Sequence, residues 1–272
     1  MTESPAVPRG IMNRRVIQVI AYVTMMIDHL AASLSITWWN VHASRTGYML
    51  YEVMRGIGRM AFPLFIFCLV NGVRHTRNKI MYLVRVAVFA VISEVPFDLA
   101  LFGKVWEPRY QNVMLTLFIG LCVLLVIQWT MHQKGQKLVL GIFATVVAVP
   151  MGILLADALH TDYGIGGAFA IIVMGFALLN PLTEKVTNYP WINLIRAGAM
   201  ALVVLILGLK CGTNEFLALL MVVPVFLYQD TPAVPKRRHL FRSNYLIYPA
   251  HLALYALAIV LPYLLSKGKP LF

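Results

Sequence analysis

Long apolar runs, separated by short polar or charged connections, occupy most of the chain. A helix that crosses a bilayer needs roughly 20 mostly apolar residues, or about 17 to 25 in practice. Cutting the runs at glycine, proline, asparagine and charge clusters predicts nine spans: 16–38, 48–73, 80–102, 112–131, 138–156, 163–180, 191–209, 214–228 and 244–265. The sequence therefore predicts an all-α, polytopic integral membrane helical bundle. Residues 1–272 form one transmembrane domain in this prediction, with residues 1–14 as a short tail.

The eighth predicted span, 214–228, is short and is interrupted by Pro224. Such a segment either crosses fully or turns back inside the bundle, where irregular backbone is shielded from lipid. The choice decides on which side of the membrane the C-terminus lies.

Composition excludes a water-soluble globular protein. Apolar residues make up 60% of the chain, charged residues 12%, and the mean hydropathy is +0.76, whereas soluble domains average about 45–50% apolar and about 25% charged. The net charge of +12 would suggest nucleic acid for a soluble protein, but the basic residues cluster between apolar runs, as at 14–15, 74–79 and 236–238. We therefore expect the lipid bilayer, with its anionic headgroups, as a partner and no nucleic acid.

The basic clusters also predict the orientation of the chain. One set of alternate connections carries about twice as many lysines and arginines as the other set, and these residues favour the cytoplasmic side. With nine spans, this places the N-terminus in the cytoplasm and the C-terminus outside.

A few ionisable side chains fall inside the predicted spans. Each costs roughly 2.5–3.5 kcal/mol on insertion scales unless it is paired or hydrated, so such residues are candidates for function. The candidates are Asp28, His29, Arg55, Arg59, Arg85, Glu94, Asp98 and His251.

Helix geometry places four of these residues at one depth. At about 1.5 Å per residue, Asp28 and His29 lie past the midplane of the first span, and Arg55 and Arg59 reach a similar depth in the returning second span. Arg55 and Arg59 are four residues apart, so their guanidinium groups could flank one carboxylate. The four residues form either a buried ion-pair network that fixes helix register or a site in which His29 accepts a proton near neutral pH.

Further residues stay open between structural and functional roles. Glu94 and Asp98 flank Pro96, where a kink could open a polar vestibule, or where the carboxylates could cap a helix or pair with an arginine. His251, in the cytoplasmic half of the last span, could serve a cofactor entry path or be a hydrogen-bonded structural histidine. Asn112, at a helix start, could bind cofactor or act as a cap.

The same residues resemble motifs of the TraX family of membrane proteins, which is similar in turn to transmembrane acyltransferases such as the heparan-glucosaminide acetyltransferases. The Asp-His pair and the long block from Arg55 to Phe65 are specific when they occur together. The resemblance runs through most of the chain and is carried by 26–29 (MIDH), 55–65 (RGIGRMAFPLF), 72–78 (GVRHTRN), 82–85 (YLVR), 93–98 (SEVPFD), 111–113 (QNV) and 248–252 (YPAHL).

This resemblance implies an enzyme of the bacterial cytoplasmic (inner) membrane that transfers an acetyl group from cytosolic acetyl-CoA to an acceptor at or beyond the membrane. The family's named example acetylates a pilin N-terminus. His29 matches the histidine that is central to catalysis in the related acyltransferases, so we expect His29 as general base, Asp28 to orient or charge it, and Arg55 or Arg59 to stabilise the thioester oxyanion. The expected cofactor contacts are Arg74, Arg77, Lys79, Arg85, Asn112 and His251, or the loop 236–242, and the expected substrate contacts are Glu94 and Asp98.

Two other functions fit the same residues. A proton-coupled transporter would use the buried acidic, basic and histidine side chains as a proton relay and would consume no acetyl-CoA. A structural assembly subunit would have no chemistry to lose when His29 is replaced. Cys68, Cys122 and Cys211 are isolated and lack CxxC spacing, so no metal is expected, and the apolar helix faces allow a homodimer.

Overall fold

Helices in the computed structural model begin and end close to the predicted spans. The structure describes residues 12–37, 44–186, 189–230 and 243–266, and no β-strand occurs among them. A 3-10 helix, Thr213–Met221, directly precedes the helix Val222–Phe226, and a π-helical turn, Ala256–Val260, follows the helix Ser243–Tyr255. The α-helices are α1 Arg14–Thr37, α2 Arg45–Gly58, α3 Ala61–His75, α4 Lys79–Phe102, α5 Val113–Met131, α6 Gln136–Ala158, α7 Gly164–Leu178, α8 Pro181–Glu184, α9 Tyr189–Cys211, α10 Val222–Phe226, α11 Ser243–Tyr255 and α12 Leu261–Leu265.

Seven helical segments within the described residues are long and apolar enough to cross a membrane, with α2 and α3 counted together as Arg45–His75. Two shorter apolar stretches, Gly164–Leu178 and Thr213–Phe226, occupy the positions of the sixth and eighth predicted spans. The prediction of a multi-pass helical membrane protein is therefore confirmed. The number of nine crossings stays a prediction.

The second predicted span is not one continuous helix, because α2 ends at Gly58 and α3 begins at Ala61. Pro63 has no N–H group for the carbonyl of Arg59, four residues earlier, so the α-helical ladder is interrupted here. Arg59 still has helical dihedral angles, and its N–H donates to the carbonyl of Arg55 at 3.2 Å. The two arginines therefore stay on neighbouring turns although the helix breaks between them and α3.

The eighth segment runs along the bundle and does not turn back. It begins after Cys211, whose thiol donates to the carbonyl of Tyr163, and it ends at Tyr228, which pairs with Met12 at the start of α1. A 3-10 helix rises about 2.0 Å per residue and an α-helix about 1.5 Å, so Thr213–Phe226 reaches about 26 Å, where a fully α-helical segment would reach about 21 Å. The stretched backbone lets this short segment cover most of the thickness of a hydrocarbon core, which is about 30 Å.

The connections define two ends of the bundle, which we call the N-terminal face and the opposite face. The N-terminal face holds the start of α1 and the turn between α3 and α4, and the opposite face holds the end of α4 and the start of α5. Large apolar side chains such as Phe67, Leu121 and Met174 fill the core between these faces. In α6, by contrast, the buried residues are the small Gly141, Gly152 and Ala156, which permit close packing while the rest of the helix faces outward.

An ion-pair cluster around the buried Arg196 ties the end of the eighth segment to α3 and α9. Arg196, a fully buried residue that the sequence analysis did not single out, donates to Asp230 and, at 3.0 Å, to Oδ1 of Asn193. His75 Nε2 lies 3.4 Å from Oδ1 of Asp230. Burial raises the pKa of the Asp230 carboxyl, but hydrogen bonds from His75 and Arg196 and the charge of Arg196 outweigh burial and hold this pKa well below its usual range.

We expect Asp230→Asn to flatten the acid dependence of stability. A carboxyl whose folded pKa lies below its unfolded value stabilises the fold above the unfolded pKa of about 4 and loses that contribution as the pH falls toward the folded pKa. The difference in unfolding temperature between pH 7 and pH 3, measured in detergent, should therefore be smaller for Asp230→Asn than for the wild type. Asp157→Asn, at an exposed position of α6, is the control. If the difference in unfolding temperature between pH 7 and pH 3 is as large in Asp230→Asn as in the wild type, the ion pair is contradicted.

Candidate functional site

Asp28 accepts hydrogen bonds from both arginines near the break between α2 and α3. Arg55 Nη1 lies 2.6 Å from Oδ2 of Asp28, and Arg59 Nη2 lies 3.0 Å from Oδ1. The side chains are 27% exposed for Arg55, 18% for Arg59 and 12% for Asp28, so the bonds form largely out of contact with solvent. The structure thus brings together the carboxylate and the two guanidinium groups that helix geometry placed at one depth.

Gly58 allows α2 to approach α1 closely at this ion pair. A Cβ atom at Gly58 would overlap the Cβ, Cγ and Oδ1 atoms of Asp28. Because the Cβ of Asp28 is fixed to the backbone of α1, the overlap could be relieved only if the two helices moved apart or the Asp28 side chain changed its position.

We expect Gly58→Ala to lower the free energy of unfolding by about 1–3 kcal/mol, the usual cost of overpacking. Gly198→Ala is the matched control, because no atom lies within 4 Å of a Cβ built at Gly198. In an open helical position, alanine is favoured over glycine by roughly 0.5–1 kcal/mol. Unfolding of both variants in detergent tests the prediction, and equal stability of the two would contradict the close approach at Gly58.

Arg59 has a second acidic partner, which the sequence analysis missed. Arg59 Nη1 lies 3.1 Å from Oε1 of Glu215 in the 3-10 helix and 3.4 Å from the hydroxyl of Tyr163. Glu215 is the second residue of the predicted span 214–228, and the candidates were ionisable residues farther inside the spans. Two carboxylates, those of Asp28 and Glu215, therefore balance the charges of Arg55 and Arg59.

His29 pairs with His251 and not with its neighbour Asp28. His29 Nδ1 lies 2.7 Å from His251 Nε2, and the two ring planes differ by 4°. Both oxygens of Asp28 accept from arginines, so the expected orienting contact from Asp28 to His29 is replaced by one from His251.

His251 also lies deeper than its position in the last span predicted. The ring of Tyr245, near the start of α11, stacks on Phe89 with centroids 5.6 Å apart. Phe89 is about 15 Å along α4 from Lys79 at the N-terminal face, so α11 begins well inside the bundle. Counting residues from the start of the last span therefore underestimates the depth of His251.

A cavity of about 270 Å³ lies beside this cluster. The ionisable side chains that line it are Asp28, His29, Arg55, Arg59 and Asp162. Most of the lining residues lie in the half of the bundle at the opposite face, whereas Phe65 packs on Tyr22 in the first half of α1. The aromatic side chains that form much of the wall are Tyr51, Phe62, Phe65, Phe97, Phe102, Tyr110 and Tyr163. The site can thus hold a small polar group against an apolar wall, next to a histidine and two guanidinium groups.

A left-handed turn fixes one wall of the cavity. Tyr163 has a φ of 64°, a conformation that costs of order 1–3 kcal/mol in a residue other than glycine and persists only where the surroundings enforce it. Here the Tyr163 ring stacks on Phe62 with centroids 3.9 Å apart, and its hydroxyl meets Arg59. The N–H of Asp162 donates to the carbonyl of Gln111 at 2.9 Å, which ties the turn to the start of α5.

Glu94 and Asp98 anchor the connection between α4 and α5 and do not line the cavity. Asp98 Oδ2 accepts from the N–H of Glu107 at 2.9 Å, and Glu94 accepts from the backbone and side-chain N–H groups of Asn112. Asn112 caps α5, because its Oδ1 accepts from the N–H of Met114 at 2.9 Å. Asn112 thus takes its capping alternative, whereas Glu94 and Asp98 accept from N–H groups of the connection, and the roles of all three with substrate or cofactor stay predictions.

The residues predicted to contact the cofactor are not brought together. Arg74, Arg77 and Lys79 surround the turn between α3 and α4 at the N-terminal face. Lys79 and Arg85 donate to backbone carbonyls close by in the chain. None of these four residues lines the cavity, Asn112 lies at the opposite face, and the predicted loop 236–242 lies outside the described residues.

Known proteins resemble this chain over different lengths. Over 157 residues it is 29% identical to a Dichelobacter nodosus protein named "Probable fimbrial assembly protein FimC, serogroup H1", a match that covers 55% of this chain and 56% of that protein. The chain thus spans little more than half the length of this relative. No solved structure matches the chain. A family model described as TraX protein matches residues 13–260, which include every residue lining the cavity. The chain therefore belongs to the TraX protein family.

Proposed function

We propose that this chain is a membrane acyltransferase that moves an acetyl group from cytosolic acetyl-CoA to an amine or hydroxyl acceptor on the other side of a bacterial inner membrane. The observation that carries the proposal is the position of His29. Its ring lines the cavity beside Arg55 and Arg59, and its Nε2 atom makes no hydrogen bond to the described residues. A neutral histidine nitrogen beside a cavity can accept a proton from a molecule bound there. The similarity of the family to heparan-glucosaminide acetyltransferases also supports the proposal.

The proton follows a closed path in this mechanism. His29 Nε2 takes the proton of the attacking amine or hydroxyl while the new bond forms to the thioester carbonyl carbon. The carbon–sulfur bond of the tetrahedral intermediate then breaks, and the His29 imidazolium returns the proton to the sulfur of the leaving CoA. Acetylated acceptor and free CoA thiol are the products, and no oxidant or other reactant is needed.

Arg55 is the better placed of the two arginines to stabilise the oxyanion. Arg59 is held by Asp28, Glu215 and Tyr163, whereas Arg55 contacts Asp28 through Nη1 and has the more exposed side chain. A guanidinium that keeps donors directed at the cavity can meet the negative charge that develops on the carbonyl oxygen.

The predicted orientation of the chain in the membrane assigns a side to each substrate in this proposal. With the N-terminal face in the cytoplasm, Arg74 and Arg77 lie where they can attract the phosphates of acetyl-CoA, and the cavity faces the acceptor side. In α1, the buried Ile17 and Ala21 precede Met25, the first residue of the helix that lines the cavity. The acyl donor therefore has to pass between packed helices to reach His29.

Acetyl-CoA turnover by the purified protein in detergent tests the proposal. We expect release of free thiol, faster in the presence of an amine or hydroxyl acceptor, and transfer of labelled acetyl to that acceptor. In vesicles of defined orientation, donor supplied at the N-terminal face should be consumed and donor at the opposite face should not. A folded protein that neither binds nor consumes acetyl-CoA would contradict the proposal, and proton-coupled transport would then be measured in liposomes.

The name of the Dichelobacter nodosus relative favours a second candidate, a role in assembling a surface fibre. The two candidates are compatible if the acceptor is a fibre subunit. They separate in cells that lack this chain and receive either the wild type or His29→Gln. Fibre assembly by His29→Gln at the wild-type level would indicate a structural role, whereas loss of both assembly and acetylation would join the two functions. Association of two copies of the chain stays a prediction.

A further inference from the structure

We infer that His251 is a positioning residue that keeps Nε2 of His29 unprotonated and available to the cavity. The inference rests on the proposed function in one respect, namely that His29 is the base of the reaction. The assignment of protons to the two rings is independent of that function, because it follows from the hydrogen-bond geometry alone.

A backbone carbonyl determines which nitrogen of His251 carries the proton. Nδ1 of His251 lies 2.8 Å from the carbonyl oxygen of Ile247. A carbonyl oxygen can only accept a hydrogen bond, so Nδ1 of His251 must be the donor. In a neutral imidazole the other nitrogen then carries the lone pair, and Nε2 of His251 is an acceptor.

The proton on His29 is fixed by the same reasoning. Its Nδ1 lies 2.7 Å from Nε2 of His251, which can only accept, so Nδ1 of His29 is the donor. The lone pair of neutral His29 therefore lies on Nε2. This chain of carbonyl, histidine and histidine selects one tautomer, as a carboxylate does for the histidine of other catalytic sites.

The packing around His251 holds its ring in place. His251 is 4% exposed, and the rings of Tyr248 and Tyr255 meet it edge-on with centroids 5.7 Å and 5.6 Å away. The hydroxyl of Tyr255 donates to the carbonyl of Met26 at 3.2 Å, which ties α11 to α1 close to His29. The ring of His251 therefore cannot turn away from His29 without loss of these contacts.

His251, as a neutral partner, suits His29, a base that lies beside two arginines. When His29 takes a proton at Nε2, its Nδ1–H bond to His251 stays as it was, so no second proton has to move. The distance between the two nitrogens is too short for a bridging metal ion, which needs about 2.0–2.1 Å to each. No group of three or more histidine, cysteine, aspartate and glutamate side chains in the described part of the chain is placed to hold one.

Two substitutions at His251 separate positioning from packing. His251→Gln keeps an acceptor within reach of His29 Nδ1, whereas His251→Leu fills similar space without an acceptor. His132→Leu is the matched control, because His132 makes the same Nδ1 contact with the carbonyl four residues earlier, at 2.7 Å, but is exposed at the end of α5.

The first measurement is ¹⁵N NMR of histidine-labelled protein, with the signals of residue 29 identified by their loss in His29→Gln. We expect the wild type and His251→Gln to show protonated Nδ1 and unprotonated Nε2 at residue 29, and His251→Leu to show protonation of Nε2. The second is acetyl-CoA turnover, where kcat should fall at least about tenfold in His251→Leu and recover in His251→Gln, with KM unchanged.

The two measurements distinguish failure of this inference from failure of the proposed function. Protonated Nε2 in the wild type, or a wild-type kcat in His251→Leu, would overturn the inference. If the wild type shows the expected tautomer but consumes no acetyl-CoA, the proton assignment stands while the acyltransferase proposal and the positioning role fall together.

Discussion

Replacing His29 with glutamine should lower acetyl-CoA turnover by about 10²–10⁴-fold, the range by which positioned acid–base groups accelerate reactions. Glutamine keeps a polar group near His251 but cannot take up the proton of the acceptor. Acetyl-CoA binding should stay close to the wild-type value, because the residues expected to meet its phosphates lie at the N-terminal face. Thiol release and equilibrium binding, measured on the same preparations, test both expectations.

His132→Gln is the control for this experiment, because it makes the same substitution at an exposed histidine far from the cavity. It should bind and turn over acetyl-CoA as the wild type does. Wild-type turnover by folded His29→Gln would show that the base lies elsewhere, and loss of binding as well as turnover would show that His29 contributes to the donor site.

Asp28→Asn should destabilise the protein by about 3 kcal/mol, at the lower end of the cost of breaking a buried ion pair, because Arg55 stays partly exposed. The substitution is nearly isosteric but leaves Arg55 without its ion-pair partner and Arg59 with Glu215 as its remaining one. The unfolding temperature in detergent should fall accordingly, and turnover should fall with it because Arg55 is no longer held near the cavity.

Removal of one arginine should restore part of this loss. Asp28→Asn combined with Arg55→Gln removes the arginine that lost its partner and keeps the ion pair of Arg59 with Glu215 at 3.1 Å. The double variant should therefore unfold at a higher temperature than Asp28→Asn alone. Glu52→Gln is the control for Asp28→Asn, because it also removes one negative charge but does so one turn before Arg55. A double variant that is less stable than both single variants would contradict the proposed charge balance.

Positions along helices predicted the meeting of Asp28 with Arg55 and Arg59, because all three lie on segments whose rise per residue is close to the α-helical value. Glu215 was missed because it lies near the end of its predicted span, where a charged side chain is ordinarily hydrated and does not indicate a buried site. The pairing of His251 with His29 was not predicted for another reason. The depth at which α11 begins depends on its packing against α4, as the stacked rings of Phe89 and Tyr245 show.

Three other residues show the same limit of prediction from sequence. Glu94 and Asp98 were candidates because carboxylates are costly in a membrane, and the structure satisfies them with N–H groups of a connection whose path the sequence does not specify. Arg196 falls inside an apolar run, but its partner Asp230 lies 34 residues later, beyond the reach of any spacing rule. Local periodicity thus indicates which helices form, and contacts between distant segments decide which charged groups meet.

The stretched eighth segment has a consequence for the surrounding lipid. Its outer side is apolar, with Leu217, Leu220 and Val223 among its exposed residues, yet at about 26 Å it is shorter than an average hydrocarbon core of about 30 Å. Such hydrophobic mismatch is relieved when the bilayer thins locally or neighbouring helices tilt. Because Glu215 of this segment holds Arg59, we expect bilayer thickness to affect the charged cluster, with the least strain in membranes of shorter acyl chains.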